Sequence, residues 1–153
     1  MQDLIDKYNL IPHPEGGYYR EVYRSEQILS SPVAGKKRSA LTHIYFLMLK
    51  GQVSRFHKVV HDEVWNFYAG DPLKLIRYNG ADVTEAIIGA MGGDFVAVVT
   101  GGIFQAAETT GAYSLVGCSV APGFDFEDFS FLSDVPELKL KLMENYPAYR
   151  RLL

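Results

Sequence analysis

The stretch Gly51-Gln52-Val53-Ser54-Arg55-Phe56-His57-Lys58-Val59-Val60-His61-Asp62-Glu63-Val64-Trp65-Asn66-Phe67-Tyr68-Ala69-Gly70 decides the architecture. It divides into two β-rich runs around His61-Asp62, so it reads as strand, turn, strand. Side chains alternate along a strand, which puts Arg55, His57 and Val59 on one face. Glu63, Trp65 and Phe67 share a face of the partner strand. With both faces inside a barrel, an imidazole and a carboxylate meet in an aromatic-lined cavity. That pairing suits a divalent metal with N and O ligands. It suits a general acid–base pair equally well. On an open hairpin, the same two side chains would be ordinary surface groups.

The flanking sequence favours the barrel. Short β-rich runs recur at 41–49, 53–60, 63–68, 73–78, 83–88, 95–99, 103–108 and 113–120. Turn residues separate them: Lys50-Gly51, Gly70-Asp71-Pro72, Asn79-Gly80, Gly92-Gly93, Gly101-Gly102 and Gly111. Asn79-Gly80 is the strongest two-residue hairpin signal. Many short strands at regular spacing predict an all-β sandwich or barrel. Residues 2–9 predict a short helix with Leu4, Ile5 and Tyr8 on one side. Residues 10–17 predict a loop and 18–24 a strand. Residues 25–37 read as a polar, mobile connection. A C-terminal helix is predicted over 134–145, with Asp134 as N-cap and Leu138, Leu142 and Met143 on one face, covering one end of the sheets. The turn at Ala121-Pro122-Gly123-Phe124 is expected to place Pro122 and Gly123 at its centre.

Length and composition fit one domain. The chain has 153 residues, 48% of them hydrophobic and 22% charged, which argues against a disordered or low-complexity protein. The division expected is an N-terminal arm and first strand (1–40), a barrel (41–131) and a C-terminal helix (132–153). A net charge of −3, with Lys36-Lys37-Arg38 as the only basic cluster, gives no footprint for nucleic acid. The single cysteine, Cys118, permits no intrachain disulfide and no cysteine-based zinc cage. It reads as a buried, inert thiol. The sequence starts without a signal-peptide pattern, and no apolar run reaches the ~18 residues of a membrane span. The expectation is a soluble cytoplasmic protein with no membrane or nucleic-acid partner. The aromatic content is 13%, from 10 Tyr, 9 Phe and 1 Trp, and these rings must line either a core or a cavity.

Gly51, His57, Glu63 and Gly70 fall at the spacings of the first cupin motif, G-x5-H-x-H-x3,4-E-x6-G. Val59 stands where the second histidine usually lies. Thr100-Gly101-Gly102-Ile103-Phe104-Gln105 resembles the second cupin motif, with Gln105 at the histidine position and Gly93 one residue out of register. A narrower resemblance spans nearly the whole chain. Ile11-Pro12-His13-Pro14-Glu15-Gly16-Gly17-Tyr18-Tyr19-Arg20, Thr42-His43-Ile44-Tyr45, the His57 to Pro72 segment and Tyr113 to Phe129 look like the DUF985 (cupin 5) family. The resemblance implies an RmlC-like jelly roll, a cupin double-stranded β-helix with a short C-terminal helix, commonly a homodimer. It implies no settled reaction, because cupins include isomerases, epimerases, dioxygenases and pure binding proteins.

Carrying the cupin ligands over leaves His57, Glu63 and Gln105 as a metal set, weaker than three histidines and a glutamate. The sugar-epimerase branch of cupins instead uses a histidine base and a tyrosine acid without metal. Here His57 would be the base, oriented by Glu63, and Tyr45 the acid, with Tyr19 and Tyr113 as alternatives. Glu63 can also be a desolvated carboxyl with a raised pKa beside Trp65 and Phe67. Glu15, Tyr19, Arg55, Trp65, Phe67, Gln105 and Tyr113 are the expected ligand-binding residues. The expected function is binding of a small polar or sugar-like molecule, with isomerisation or epimerisation leading. Non-catalytic ligand sensing and metal-dependent catalysis are the alternatives. No cofactor is the leading expectation, with a divalent ion second. His13 and His43 read as structural. Phe124, Phe126 and Phe129 read as barrel closure or an interface.

Overall fold

The computed structural model describes residues 2–89 and 93–153. The chain opens with helix α1 (Gln2–Tyr8), then strands β1 (Ile11–Pro12), β2 (Tyr18–Arg24), β3 (Ile28–Ser31), β4 (Lys36–Ser39), β5 (Thr42–Leu49) and β6 (Ser54–Val59). It continues with β7 (Asp62–Gly70), β8 (Leu73–Tyr78), β9 (Val83–Ile88), β10 (Val96–Val99), β11 (Phe104–Thr109), β12 (Tyr113–Ala121) and β13 (Phe129–Phe131), then helix α2 (Pro136–Asn145). A last 3-10 segment runs Pro147–Leu152. Two antiparallel sheets face each other, in the orders β1-β2-β5-β12-β7-β10 and β13-β6-β11-β8-β9. This is the double-stranded β-helix arrangement, mostly β, with few helices.

The pleat sorts the side chains. On β5, Phe46 and Met48 point between the sheets and join Trp65, Leu73, Leu75, Ile88, Val99, Val116 and Cys118 in the inner core. Leu47 points the other way and packs with Leu10 and Leu115, covered by Leu4, Ile5 and Tyr8 of α1. On the second sheet, Phe56, Ile76, Tyr78, Phe104 and Ala106 face outward against Leu142 of α2 and Leu152. Helix α2 therefore covers the outer face of that sheet rather than an end of the barrel. Burying a leucine such as Leu142 stabilises by about 1.5–3 kcal/mol.

Two register shifts matter for the cavity. On β6, Gln105 faces His57 while Ala107 faces Ser54, so β6 carries one residue more than β11. That bulge turns both Ser54 and His57 inward, although they are three residues apart. On β2, a shift between Glu21 and Tyr23 does the same for Glu21 and Arg24.

Several local expectations change. Residues 25–37 are more than a connection: they contain most of an antiparallel ribbon, β3 with β4, fastened by Arg38 to Asp128 through bonds of 2.8 Å from both Nε and Nη2. The residue before α2 is Val135, with no side-chain cap, because Asp134 is absorbed in a preceding 3-10 turn, Leu132–Asp134. The Asn79-Gly80 hairpin forms, but with a four-residue loop. Asn79 Oδ1 accepts from the N–H groups of Ala81 and Asp82, which closes an Asx turn instead of a two-residue turn. The Ala121–Pro122 peptide is cis, and Gly123 N–H donates to Ser39 O. Gly92 of the expected Gly92-Gly93 turn lies outside the described residues. Among the described residues, no helix is long and apolar enough to cross a membrane.

Candidate functional site

A cavity of about 410 Å³ opens at the end of the barrel where β5 and β7 begin and β6 and β12 end. His57 and Glu63, the two residues singled out by the hairpin reading, both line it, and both are buried.

Glu15 completes the floor from a different element. It sits in the turn between β1 and β2, closed by His13 N–H to Gly17 O and Gly16 N–H to His13 O. Gly16 has φ of +114°, and a Cβ there would run into the Val53 carbonyl. Only glycine permits that approach. The turn therefore packs directly on β6, where Arg55 N–H donates to Glu15 O. Ser54 Oγ, turned inward by the bulge, donates to Glu15 Oε1 at 2.7 Å. Glu15 Oε2 lies 3.1 Å from His57 Nε2.

The hydrogen bonds fix the orientation of the floor. His57 Nδ1 is 2.8 Å from the Arg55 carbonyl, which can only accept, so Nδ1 carries a proton. In the neutral ring, Nε2 is then the lone-pair nitrogen. The residue that orients the imidazole is thus Arg55, through its backbone, and not Glu63. Trp65 Nε1 donates to Gln105 Oε1 at 2.9 Å. An indole only donates, so the Gln105 amide nitrogen must point the other way, and it donates to Glu63 Oε2.

Burial sets the protonation. It pushes Glu15 up to about 8, against smaller opposing effects of the Ser54 hydrogen bond and the Arg55 charge. Burial also raises Glu63, offset in part by His57. The same desolvation lowers His57, and it lowers His13 to about 4. The Glu15–His57 contact is therefore a hydrogen bond from a protonated carboxyl to a neutral imidazole near neutral pH. Cys118 lies on the wall, and burial followed by the Glu63 charge holds its thiol protonated, as an inert cysteine should be.

The walls are aromatic. Phe129 stacks on His57, with centroids 5.2 Å apart and planes 19° apart. Tyr19 meets the His13 ring edge-on at 4.4 Å. Phe126 stacks against His13 from the mouth. Arg24 also stands at the mouth, held by two bonds to Glu21 and one to the Phe124 carbonyl.

The expected site residues divide by face. Glu15, Tyr19, His57 and Glu63 converge on the cavity. Trp65 and Gln105 lie behind the floor as its supports, and Phe67 packs on the inner core. Arg55 is turned away, with its guanidinium over Phe131 and bonded to Pro14 O. Tyr45 and Tyr113 are on the wrong face. Tyr45 lies on the outside of the first sheet in a shallow pocket with Tyr8, His43 and Tyr68, and Tyr113 packs beside Leu115. Alternation between Tyr45 and the inward Ile44 and Phe46 forces this, so Tyr45 is not the acid of this cavity.

His13, Glu21, Arg24, Phe126 and Phe129 line the cavity without having been expected there. The Pro12-His13-Pro14 setting marked a tight turn next to Glu15, which is the signal that could have placed His13. Phe126 and Phe129 reach the site only through the tertiary path of the C-terminal segment. His43 and His61 are engaged elsewhere, His43 with Ser119 and Tyr68, His61 with Ser31.

His57, Glu63 and Gln105, the set carried over from the cupin motifs, are each hydrogen-bonded to protein partners. Gln105 Oε1, the only oxygen it could offer, is taken by Trp65, and Glu15 is bonded to His57. Among the described residues, no three His, Cys, Asp or Glu side chains form a group suited to a metal ion.

The comparisons agree with one another. The family model for the cupin superfamily family DUF985 matches residues 2–132. A hypothetical protein from Leishmania major has a solved structure with 32% identity and a TM-score of 0.86, covering 99% of this chain and 97% of that one. A protein from Shewanella oneidensis is 34% identical with a TM-score of 0.82, covering 99% and 92%. The uncharacterised Saccharomyces cerevisiae protein YML079W is 32% identical over 157 residues, covering 91% of this chain and 78% of its own length.

Proposed function

The chain belongs to the DUF985 family of the cupin superfamily, which leaves its reaction open, and from the cavity we propose that it is an acid–base enzyme acting on a small polar, sugar-like metabolite by isomerisation or epimerisation. The observation that carries this reading is the buried Glu15–His57 bond beside Glu63 on the floor of one cavity. Proton abstraction and return need two groups of matched proton affinity near the reacting carbon. Glu63 is the base: burial strengthens it, while the Gln105 amide favours its ionised form. The Glu15–His57 couple is the acid, because Glu15 retains its proton near neutrality. The substrate proton passes to Glu63, and the couple supplies a proton to the carbanionic or enolic centre.

Incubation with a panel of small carbonyl sugars in deuterated water tests this. Deuterium incorporated at carbon by the wild type, and lost in both Glu63→Gln and Glu15→Gln, is the expected result. Failure to exchange any carbon-bound hydrogen removes catalysis and leaves a binding protein. One observation favours that second reading: the floor groups are already paired with one another, and a ligand needs no turnover to sit above them.

A further inference from the structure

We propose that the ligand of this cavity is an organic cation, a small polyol or ring bearing a protonated amine, rather than an anion such as a sugar phosphate or a carboxylate. The inference rests on the reading above, that the cavity binds a small polar molecule, and adds its charge.

Glu15 and Glu63 lie at the floor, and Glu21 and Asp125 lie toward the mouth. The single Arg or Lys among the described lining residues is Arg24, which stands at the mouth with Nε and Nη2 turned to protein partners. Nε and Nη2 bind Glu21 at 2.9 and 2.7 Å, and Nη2 also meets the Phe124 carbonyl at 3.1 Å. Arg55 acts on Glu15 through space, but its guanidinium is fixed outside the cavity by Pro14 O and the Phe131 ring. No fixed cation therefore stands at the floor among the described residues to receive a phosphate or carboxylate.

An anion entering this cavity would meet buried carboxyls and neutral imidazoles, at a large desolvation cost. A cation would instead set its charge against Glu63, the ionised carboxyl of the floor, through a charge-assisted hydrogen bond. The aromatic lining argues for the same charge. Phe129, Phe126 and Tyr19 line the cavity beside Glu15 and Glu63, and aromatic rings attract ammonium groups. A volume of about 410 Å³ holds a single six-membered ring with its substituents.

The test uses the full chain and three probes of similar size, 2-amino-2-deoxyglucose, glucose and glucuronate, at neutral pH, where the amine is still largely protonated. Binding is followed by calorimetry and by the resonances of His13, His57 and Tyr19. The expected order is amine, then neutral sugar, then acid, with the amine about tenfold or more tighter than glucose. Glu63→Gln is expected to remove most of the margin between the amine and glucose. Equal binding of the three, or tighter binding of glucuronate, overturns the cationic preference and leaves the cavity as a polar-ligand site. If none of the three moves the cavity resonances, both the preference and the sugar-like reading fall together. The comparison among probes on the wild type stands even if Glu63→Gln does not fold.

Discussion

Glu15 Oε2 and His57 Nε2 are 3.1 Å apart, and the two residues come from elements that the chain brings together only through a turn laid on a bulge. Neither group has its ordinary proton affinity: burial raises the acid and lowers the base. Their contact is the point at which the stability, protonation and chemistry of the cavity meet.

Stability should depend on pH through Glu15 in a definite direction. Its folded pKa, about 8, lies above the ordinary 4.5, so the folded state holds a proton that the unfolded state has released between those values. Folding stability from this group therefore falls as pH rises through that window, by about 1.4 kcal/mol per pH unit at most. His13 opposes it lower down: its folded pKa near 4 against 6.5 makes stability rise with pH between those values. Denaturant titrations should show a decline from about pH 6.5 to 8, and Glu15→Gln should flatten it. An unchanged slope in that variant would contradict the assignment.

Trp65→Phe should be costly for its size. The ring volume is largely kept, but Gln105 Oε1 loses its donor in a fully buried setting. An unpaired buried acceptor costs about 1–3 kcal/mol. Equilibrium unfolding measures the loss. A cost near zero would mean that the Gln105 amide finds another partner.

Removing the Phe129 ring should rehydrate His57. Phe129→Ala should destabilise by roughly 2 kcal/mol, less than for a fully buried phenylalanine because Phe129 is half-buried. The imidazole pKa should rise toward 6.5, since desolvation is the main cause of its depression. Proton NMR titration of His57 reads this directly, and a further fall in its pKa would contradict the stacking account.

Tyr45→Phe should leave ligand binding in the cavity and any proton exchange unchanged. The hydroxyl lies on the opposite side of the sheet from Ile44 and Phe46. A stability change within about 0.5 kcal/mol is expected. Loss of cavity binding or exchange in this variant would place Tyr45 back among the working residues.

Much of the strand framework was legible because turns and β-branched runs mark it locally. β8 and β9 lie where the pattern put them. The two strands around His61-Asp62 also form, but they are not hairpin partners: β6 pairs with β11 and β13 in one sheet and β7 with β10 and β12 in the other, so His57 and Glu63 meet across the barrel. Which face of a strand points inward was less legible. On β5 both faces are apolar, Ile44, Phe46 and Met48 on one and Tyr45, Leu47 and Leu49 on the other, because α1 covers the outer set. Alternation says which residues travel together, and only the packing of α1 says which set faces out. Residues 25–37 read as a loop because their polar side chains serve ion pairs, Arg38 to Asp128 among the next residues, rather than a core. The aromatic roof was hidden for a related reason. Phe129 meets His57 through a chain path of some seventy residues that no local pattern encodes.

The two register shifts have a consequence for how the cavity tolerates change in chain length. A pleated strand keeps a phase of two, and Ser54 with His57, like Glu21 with Arg24, is out of phase by one. Deleting one residue at either bulge would restore regular pairing and rotate half of each couple to the outside. Ser54 would leave Glu15, or Arg24 would leave Glu21. In these two strands the better-formed ladder is the emptier site, so the irregularity is what selection for ligand handling would preserve against selection for a perfect sheet.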